Sequence, residues 1–226
     1  MKIGSMEWKR LLCDGAAAMG VSVGSHEAGL ISIYALELMA WNRKMNLTAI
    51  SDPLEIAVKH FLDSMACIPF LPGIGKILDI GTGGGFPGIP VKILIPALHV
   101  TLVDSIRKKT TFLKHVIRTL KLDGVDVLHN RVESLSGREG MADGFDAILC
   151  RALFPLEELF EKSLPLLRKN GIIISWKAKP DPDELRDIQQ KAAIRGFEIR
   201  LNPYTLPFLD LNRTLARCYR SNSDLQ

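Results

Sequence analysis

Asp79-Ile80-Gly81-Thr82-Gly83-Gly84-Gly85-Phe86-Pro87-Gly88 holds five glycines in ten residues. It follows the apolar pair Ile77-Leu78 and leads into the apolar run from Ile89 to Ile95. A strand, a tight turn and a helix are the local structure this order predicts. Such a turn lets a ligand press against bare backbone, and the start of the helix presents N–H groups. Val100-Thr101-Leu102-Val103 reads as a second strand, and it ends in Asp104. A glycine turn with an acid about 20 residues beyond it is the adenosine-site pattern of doubly wound α/β folds. The chemistry predicted here is the binding of an adenosine cofactor.

The residues around the glycines bear on which cofactor. Gly83, Gly85 and Gly88 match G-x-G-x-x-G, but Pro87 disturbs the close turn-to-helix packing of a dinucleotide site. In the register that begins at Gly81, Phe86 stands where the third glycine belongs. Asp79 then lies just upstream, at the strand end. A carboxylate there repels a pyrophosphate and attracts an ammonium or a sulfonium. The balance favours S-adenosylmethionine over NAD. A third strand, Val125 to His129, runs through Asn130 into Arg131-Val132-Glu133. Glu133 and the turn before it are either an acceptor for adenine's exocyclic amine or a plain loop. A fourth strand ends in Cys150-Arg151. Carboxyl ends of parallel strands face the ligand crevice, so Arg151 is either a site residue or a surface loop arginine.

The elements that must position these residues follow from periodicity. Residues 5 to about 72 read as helical. Leu30, Ile33, Tyr34, Leu36, Leu38 and Trp41 are spaced for a buried helix face, and Asp52-Pro53 reads as an N-cap with proline in the first helical position. Pro69, Pro72, Gly73 and Gly75 form a break. Strands are then expected at 76–80, 99–103, 125–129, 145–150 and 171–176, and helices at 88–95, 107–121, 156–168 and 183–195. This alternation predicts a mainly parallel, doubly wound sheet covered on both faces. Two last strands, 197–201 and 214–219, have no full helix between them, so a terminal hairpin inserts an antiparallel strand. The expected division is a helical region over 1–72 and a cofactor-binding domain over 73–226. In the helix after Asp104, Phe112, Leu113, Val116, Ile117 and Leu120 form the buried stripe. Arg107, Lys108, Lys109, Lys114, Arg118 and Lys121 form either a solvated face or a phosphate-contacting ridge.

The bulk numbers bound the rest. The chain has 226 residues, 47% hydrophobic and 24% charged, which suits a globular protein with a full core. A net charge of +4 permits an anionic partner without demanding one. Cys13, Cys67, Cys150 and Cys218 are widely spaced and read as reduced thiols, and the five histidines are scattered, so no metal site is expected. Asp14 interrupts the apolar stretch from Leu11 to Val23, and no run reaches the ~18 apolar residues of a membrane span. A cytoplasmic monomer is the expectation.

Taken in order, several blocks resemble one family across nearly the whole chain. These are Trp41-Asn42 with Asn46-Leu47-Thr48, His60-Phe61-Leu62-Asp63-Ser64, and Asp79 through Pro90 with its Phe-Pro-Gly-Ile-Pro ending. Asp104-Ser105, Lys108 and Phe112-Leu113 follow, then Arg131-Val132-Glu133 and Arg151-Ala152. Together they resemble the small-subunit ribosomal RNA methyltransferase G family, also called glucose-inhibited division protein B. The resemblance implies a class I methyltransferase fold with an N-terminal helical extension. It implies methyl transfer from S-adenosylmethionine to N7 of a guanosine in 16S ribosomal RNA, free or within the small ribosomal subunit. By position, Gly81, Phe86, Val132, Glu133 and Arg151 correspond to cofactor-contacting residues of the family, with Asp79, Gly83 and Gly85 in the same loop. By analogy with the wider fold, Asp104 holds the ribose hydroxyls. Lys108, Lys177 and Arg213 are candidates for RNA phosphates. Asn42, Asn46 and His60 either position RNA or cap and pack helices. The sequence departs from the family at Lys177-Ala178, at Arg213-Thr214-Leu215 and at Lys108-Lys109. N7 carries an in-ring lone pair and no proton, so no catalytic acid or base is assigned, and Arg151 is the candidate for orienting substrate or cofactor. Two other readings are an NAD(P)-dependent oxidoreductase and an inactive S-adenosylmethionine- and RNA-binding module.

Overall fold

A computed structural model of the protein describes residues 1–138, 140–142, 144–151, 153–177 and 182–221. The chain opens with helices α1 (Met6–Ala18) and α2 (Ser25–Met45). After a loop, α3 (Pro53–Glu55) passes directly into a π-helix at Ile56–Leu62 and a last turn, α4 (Asp63–Met65). Asp52 caps this run as its sequence predicts: Oδ1 accepts from the N–H groups of Leu54 and Glu55, each at 2.9 Å.

Strands and helices then alternate, save that only a 3-10 turn at Val132–Ser134 stands between β3 and β4: β1 (Gly75–Ile80), α5 (Gly88–Leu94), β2 (Leu98–Asp104), α6 (Arg107–Leu120), β3 (Val125–His129), β4 (Phe145–Arg151), α7 (Leu156–Ser163), β5 (Leu167–Lys177) and α8 (Pro182–Ile194). The hairpin β6 (Phe197–Leu206) and β7 (Leu211–Arg220) closes the fold. The seven strands lie in the order β3-β2-β1-β4-β5-β7-β6. Pairings from β3 through β5 are parallel, and β7 inserts antiparallel between β5 and β6. The expected doubly wound sheet with a terminal antiparallel strand is what forms.

Side chains alternate across a strand, and this divides the core in two. Ile77, Val100, Leu102, Leu149, Ile174 and Trp176 face a cluster shared with Trp8, Tyr34, Leu38 and Phe61 of the N-terminal helices. Leu78, Ile80, Val103, Ile148, Cys150 and Ile173 face Leu159 and Phe160 of α7 and Ile188 of α8. The N-terminal helices thus share with α5 and α6 the layer on one face of the sheet.

Four details differ from expectation. On α2 the buried face is Ala28, Ile31, Tyr34, Ala35 and Leu38, while Ile33 and Leu36 are exposed. Both would turn away from the stripe that Ala28, Ile31, Ala35 and Leu38 make at helical spacing. On α6, Ile117 is only partly buried. Helix α7 stops at Ser163 because Pro165 supplies no N–H, and β5 starts at Leu167 rather than 171. The strands β6 and β7 run longer than read. Pro203 hides the length of β6, yet proline is tolerated there because β6 is the sheet edge.

Candidate functional site

Strand order reverses at β1, between β2 and β4, and in open α/β sheets ligands bind outside the carboxyl ends of the strands at such a point. A cavity of about 290 Å³ opens there. Its walls are Ile80 and Gly81 after β1, Val103 to Ile106 after β2, Lys109 of α6, Asn130 to Glu133 after β3, and Leu153 and Phe154 after β4. Four strand ends therefore converge as the sequence order requires.

The glycine loop leaves β1 by turning towards β2. The N–H groups of Gly81 and Thr82 both donate to the Val103 carbonyl, at 2.8 and 3.1 Å. Gly81 has φ +67°, and a Cβ there would come within 2.3 Å of the Leu153 side chain. At Gly88 a Cβ would press on Leu102 at 2.3 Å and on Asp79 Oδ2 at 2.7 Å, so α5 lies directly on the sheet. Tyr34 donates its hydroxyl to the Gly84 carbonyl from α2.

Asp79 stands beneath this loop and not in the cavity wall. The pleat sends it to the same face as Ile77, towards the N-terminal layer. It is wholly buried. Its Oδ2 accepts from the Thr82 hydroxyl at 2.6 Å and the Gly88 N–H at 2.8 Å, while Oδ1 has no partner. Burial pushes its carboxyl up to about 6, against the pull of those two donors and of Arg151. Asp104 does line the cavity. Its Oδ2 accepts from Gly83 N–H at 3.0 Å, its Oδ1 from Ile106 N–H at 2.9 Å, and Lys109 Nζ lies 3.6 Å away. The N–H groups that a phosphate would need at Gly83 and at the start of α5 are thus bound to carboxylates.

Val132 is buried in the cavity wall, and Glu133 is exposed beside it. The Glu133 carboxylate is held by Lys162 of α7, which keeps it below the usual carboxylate range. Apolar Ile106, Val132 and Leu153 line the cavity beside Glu133.

Arg151 takes a different direction. It follows Cys150, the β1 partner of Ile80, and so lies level with Gly81. Its Nη1 donates to the Lys59 carbonyl at 3.1 Å and to Asp63 Oδ2 at 3.3 Å. Its Nη2 lies 3.3 Å from His60 Nδ1, and the guanidinium sits 5.4 Å from the centre of the Phe86 ring. Phe86 is buried and stacks on His60 at 4.6 Å and on Tyr34 at 5.2 Å. Arginine can only donate, so His60 Nδ1 accepts and its proton rests on Nε2. Nε2 then donates to Thr48 Oγ1 at 2.8 Å. Burial, and then Arg151, lowers the His60 pKa to about 3, so the ring is neutral.

The RNA candidates separate into two groups. The side chains of Asn42 and His60 have internal partners, whereas Asn46 is exposed. Asn42 accepts from Thr48 N–H and donates to the Thr48 carbonyl, both at 2.9 Å. Asn46 ends α2 in the left-handed region, with φ 50°. Lys108 is exposed on the first turn of α6, among the basic residues of that face. Lys177 donates to the Phe154 carbonyl at 3.1 Å, and Arg213 is half-buried with its charge near Asp63 and Tyr204.

Sequence reasoning missed the walls made by Ile106, Leu153 and Phe154, the hold of Lys162 on Glu133, and Tyr204. The apolar pair Leu153-Phe154 after a strand end was the available signal for the walls. Nothing local marks Lys162 or Tyr204, because each meets its partner only through the tertiary fold.

A family model described as rRNA small subunit methyltransferase G matches residues 28–205. The ribosomal RNA small subunit methyltransferase G of Geobacter metallireducens is 41% identical over 217 residues, covering 96% of this chain and 98% of that one. Its counterpart in Alkaliphilus metalliredigens is 37% identical and covers 93% and 89%. Among solved structures, a SAM dependent methyltransferase from Aquifex aeolicus superposes with a TM-score of 0.55 at 15% identity, over 77% of this chain and 97% of that one. M. jannaschii TYW2 in complex with AdoMet gives a TM-score of 0.55 at 12% identity, over 70% and 73%. At these identities the structural likeness concerns the fold alone.

Proposed function

Because the chain belongs to the rRNA small subunit methyltransferase G family, we propose that it transfers a methyl group from S-adenosylmethionine to N7 of a guanosine in 16S ribosomal RNA. The rRNA acceptor follows from the family, and the observation that carries the cofactor is the electrostatics of the glycine loop. Its donors at Gly83 and Gly88 are engaged by Asp104 and Asp79. A pyrophosphate would meet two carboxylates there, whereas a cationic cofactor meets a matching field. This also disfavours the dinucleotide alternative.

The residues present fit the cofactor. A buried acid, Asp104, stands at the end of β2 for the ribose hydroxyls. Ile106, Val132 and Leu153 offer apolar contact to adenine, with the backbone of Val132 and Glu133 at its edge. Gly81, Gly83, Gly85 and Phe86 shape the methionine end. When bound, S-adenosylmethionine supplies an electrophilic methyl group on a sulfonium. Arg151 takes the methionine carboxylate. A guanidinium beside the acceptor would oppose reaction, because guanine becomes cationic on N7 methylation. Next to the carboxylate it carries no such penalty.

No side chain need remove a proton, since N7 has none. His60, neutral and hydrogen-bonded to Thr48, adds no charge near the loop. The chain's contribution is alignment and a preorganised field, and alignment alone is worth up to ~7–11 kcal/mol. Lys108 and the exposed basic face of α6, with Lys177 and Arg213, are the proposed phosphate contacts, and loss of one lowers the salt slope of RNA binding by about one. The test is mass mapping of methylated nucleotides after incubation of 16S ribosomal RNA, or small subunits, with the protein and S-adenosylmethionine. A single N7-methylguanosine is the expected product. Tight binding of NADH with no response to S-adenosylmethionine would overturn the reading.

A further inference from the structure

We propose that Asp63 and Tyr204 are positioning residues, which hold Arg151 in the pose that receives the methionine carboxylate. This inference rests on the reading of Arg151 given above. Asp63 is a buried carboxylate at which four distant parts of the chain meet. Its Oδ2 accepts from Arg151 Nη1 of β4 at 3.3 Å. Its Oδ1 accepts from the Tyr204 hydroxyl of β6 at 2.6 Å. Its backbone carbonyl accepts from Trp176 Nε1 of β5 at 2.9 Å. It follows the π-helix, whose Lys59 carbonyl shares Nη1 with Asp63 and whose His60 accepts from Nη2 of the same guanidinium. π-turns recur at functional sites, where they place side chains that an α-helix would not present together.

The arrangement is costly if stability were its purpose. A buried ion pair is often no better than apolar packing of equal volume, because both charges must leave water. Here the pair sits at the end of a parallel strand, level with Gly81, where the ligand crevice begins. Tyr204 closes the remaining carboxylate oxygen, so Asp63 has one orientation. The guanidinium is clamped by Asp63, the Lys59 carbonyl, His60 and the Phe86 face. The described contacts occupy three of its five N–H donors. A guanidinium so aimed loses little freedom when an anion arrives.

The experiment compares two ligands that differ only at the amino-acid end, S-adenosylhomocysteine and 5′-methylthioadenosine, by calorimetry. Tyr204→Phe removes one hydroxyl and no volume of consequence. It should weaken S-adenosylhomocysteine binding by about threefold to tenfold, the scale of a typical net hydrogen bond felt through Asp63, and leave methylthioadenosine unchanged. Arg151→Ala should show the same selectivity with a larger loss. In turnover, Tyr204→Phe should raise KM for S-adenosylmethionine and leave KM for RNA as it was. Equal weakening of both ligands would reveal a merely structural hydroxyl and overturn the inference, as would no change in either. If Arg151→Ala leaves both affinities intact, the reading of Arg151 itself is what fails. Should Tyr204→Phe not fold, Asp63→Asn is read by the same ratio of the two affinities.

Discussion

Replacing Asp79 by asparagine should make the protein's stability less dependent on pH, by an amount that can be worked out. Asp79 is wholly buried, with Oδ2 held by Thr82 and Gly88 and Oδ1 without a partner. Its carboxyl is raised from 3.8 to about 6, chiefly by burial, with Asp104 adding to the rise. A raised acid binds its proton more tightly in the folded protein than in the unfolded chain. The stability this gives is complete below about pH 4, is lost as pH rises towards about pH 6, and stays lost above that. A rise of about two pH units at ~1.4 kcal/mol each amounts to about 3 kcal/mol. In Asp79→Asn the amide oxygen can take both donors, and the NH₂ group takes the corner of the orphaned Oδ1. That corner costs the variant a fixed amount at every pH, since asparagine does not ionise. Urea unfolding at several points from about pH 4 to about pH 8 isolates the titrating part. The stability of the variant relative to the parent should climb by about 3 kcal/mol between about pH 4 and about pH 7 and then level off. A difference that stays constant across the range would show that Asp79 ionises in the fold as freely as it does in water.

Two further outcomes follow from the loop. Tyr34→Phe leaves the Gly84 carbonyl without the hydroxyl that donates to it inside the core. This should cost about 1–3 kcal/mol, read as a lower denaturant midpoint at unchanged slope, and an unchanged midpoint would show the bond to be absent. Gly81→Ala forces an L-residue to φ +67° and drives a Cβ against Leu153 in the cavity wall. The backbone part should cost about 1–2 kcal/mol, and the displaced Leu153 should weaken S-adenosylmethionine binding as well. Full affinity by calorimetry would mean that Leu153 does not form that wall.

Much of the fold was legible because it rests on local pattern. Alternating apolar runs and helical stripes placed all seven strands and the helices that join them. Asp52-Pro53 announced its cap, since a cap depends only on residues two and three positions away. Where periodicity was interrupted, boundaries slipped, as at Pro165 and Pro203. The helical stripe of α2 was misjudged at Ile33 and Leu36, because an apolar side chain on a helix need not be buried.

The sequence by itself determined the sheet, its glycine turn and the acid at the end of the second strand, each a matter of short-range order. Only the tertiary structure decided which way the charges point. Asp79 and Asp104 share one face of the sheet, but Asp79, level with Leu102, lies beneath the loop, while Asp104 stands two residues nearer the strand ends and reaches the cavity. Docking of the helical layer onto one face of the sheet spends Asn42 and His60 on internal bonds and leaves Lys108 in solvent. Arg151 meets Lys59 and Asp63 from 92 and 88 residues away, and Asp63 meets Tyr204 from 141. Such pairings leave no trace in local spacing, because they exist only once separate elements share one core.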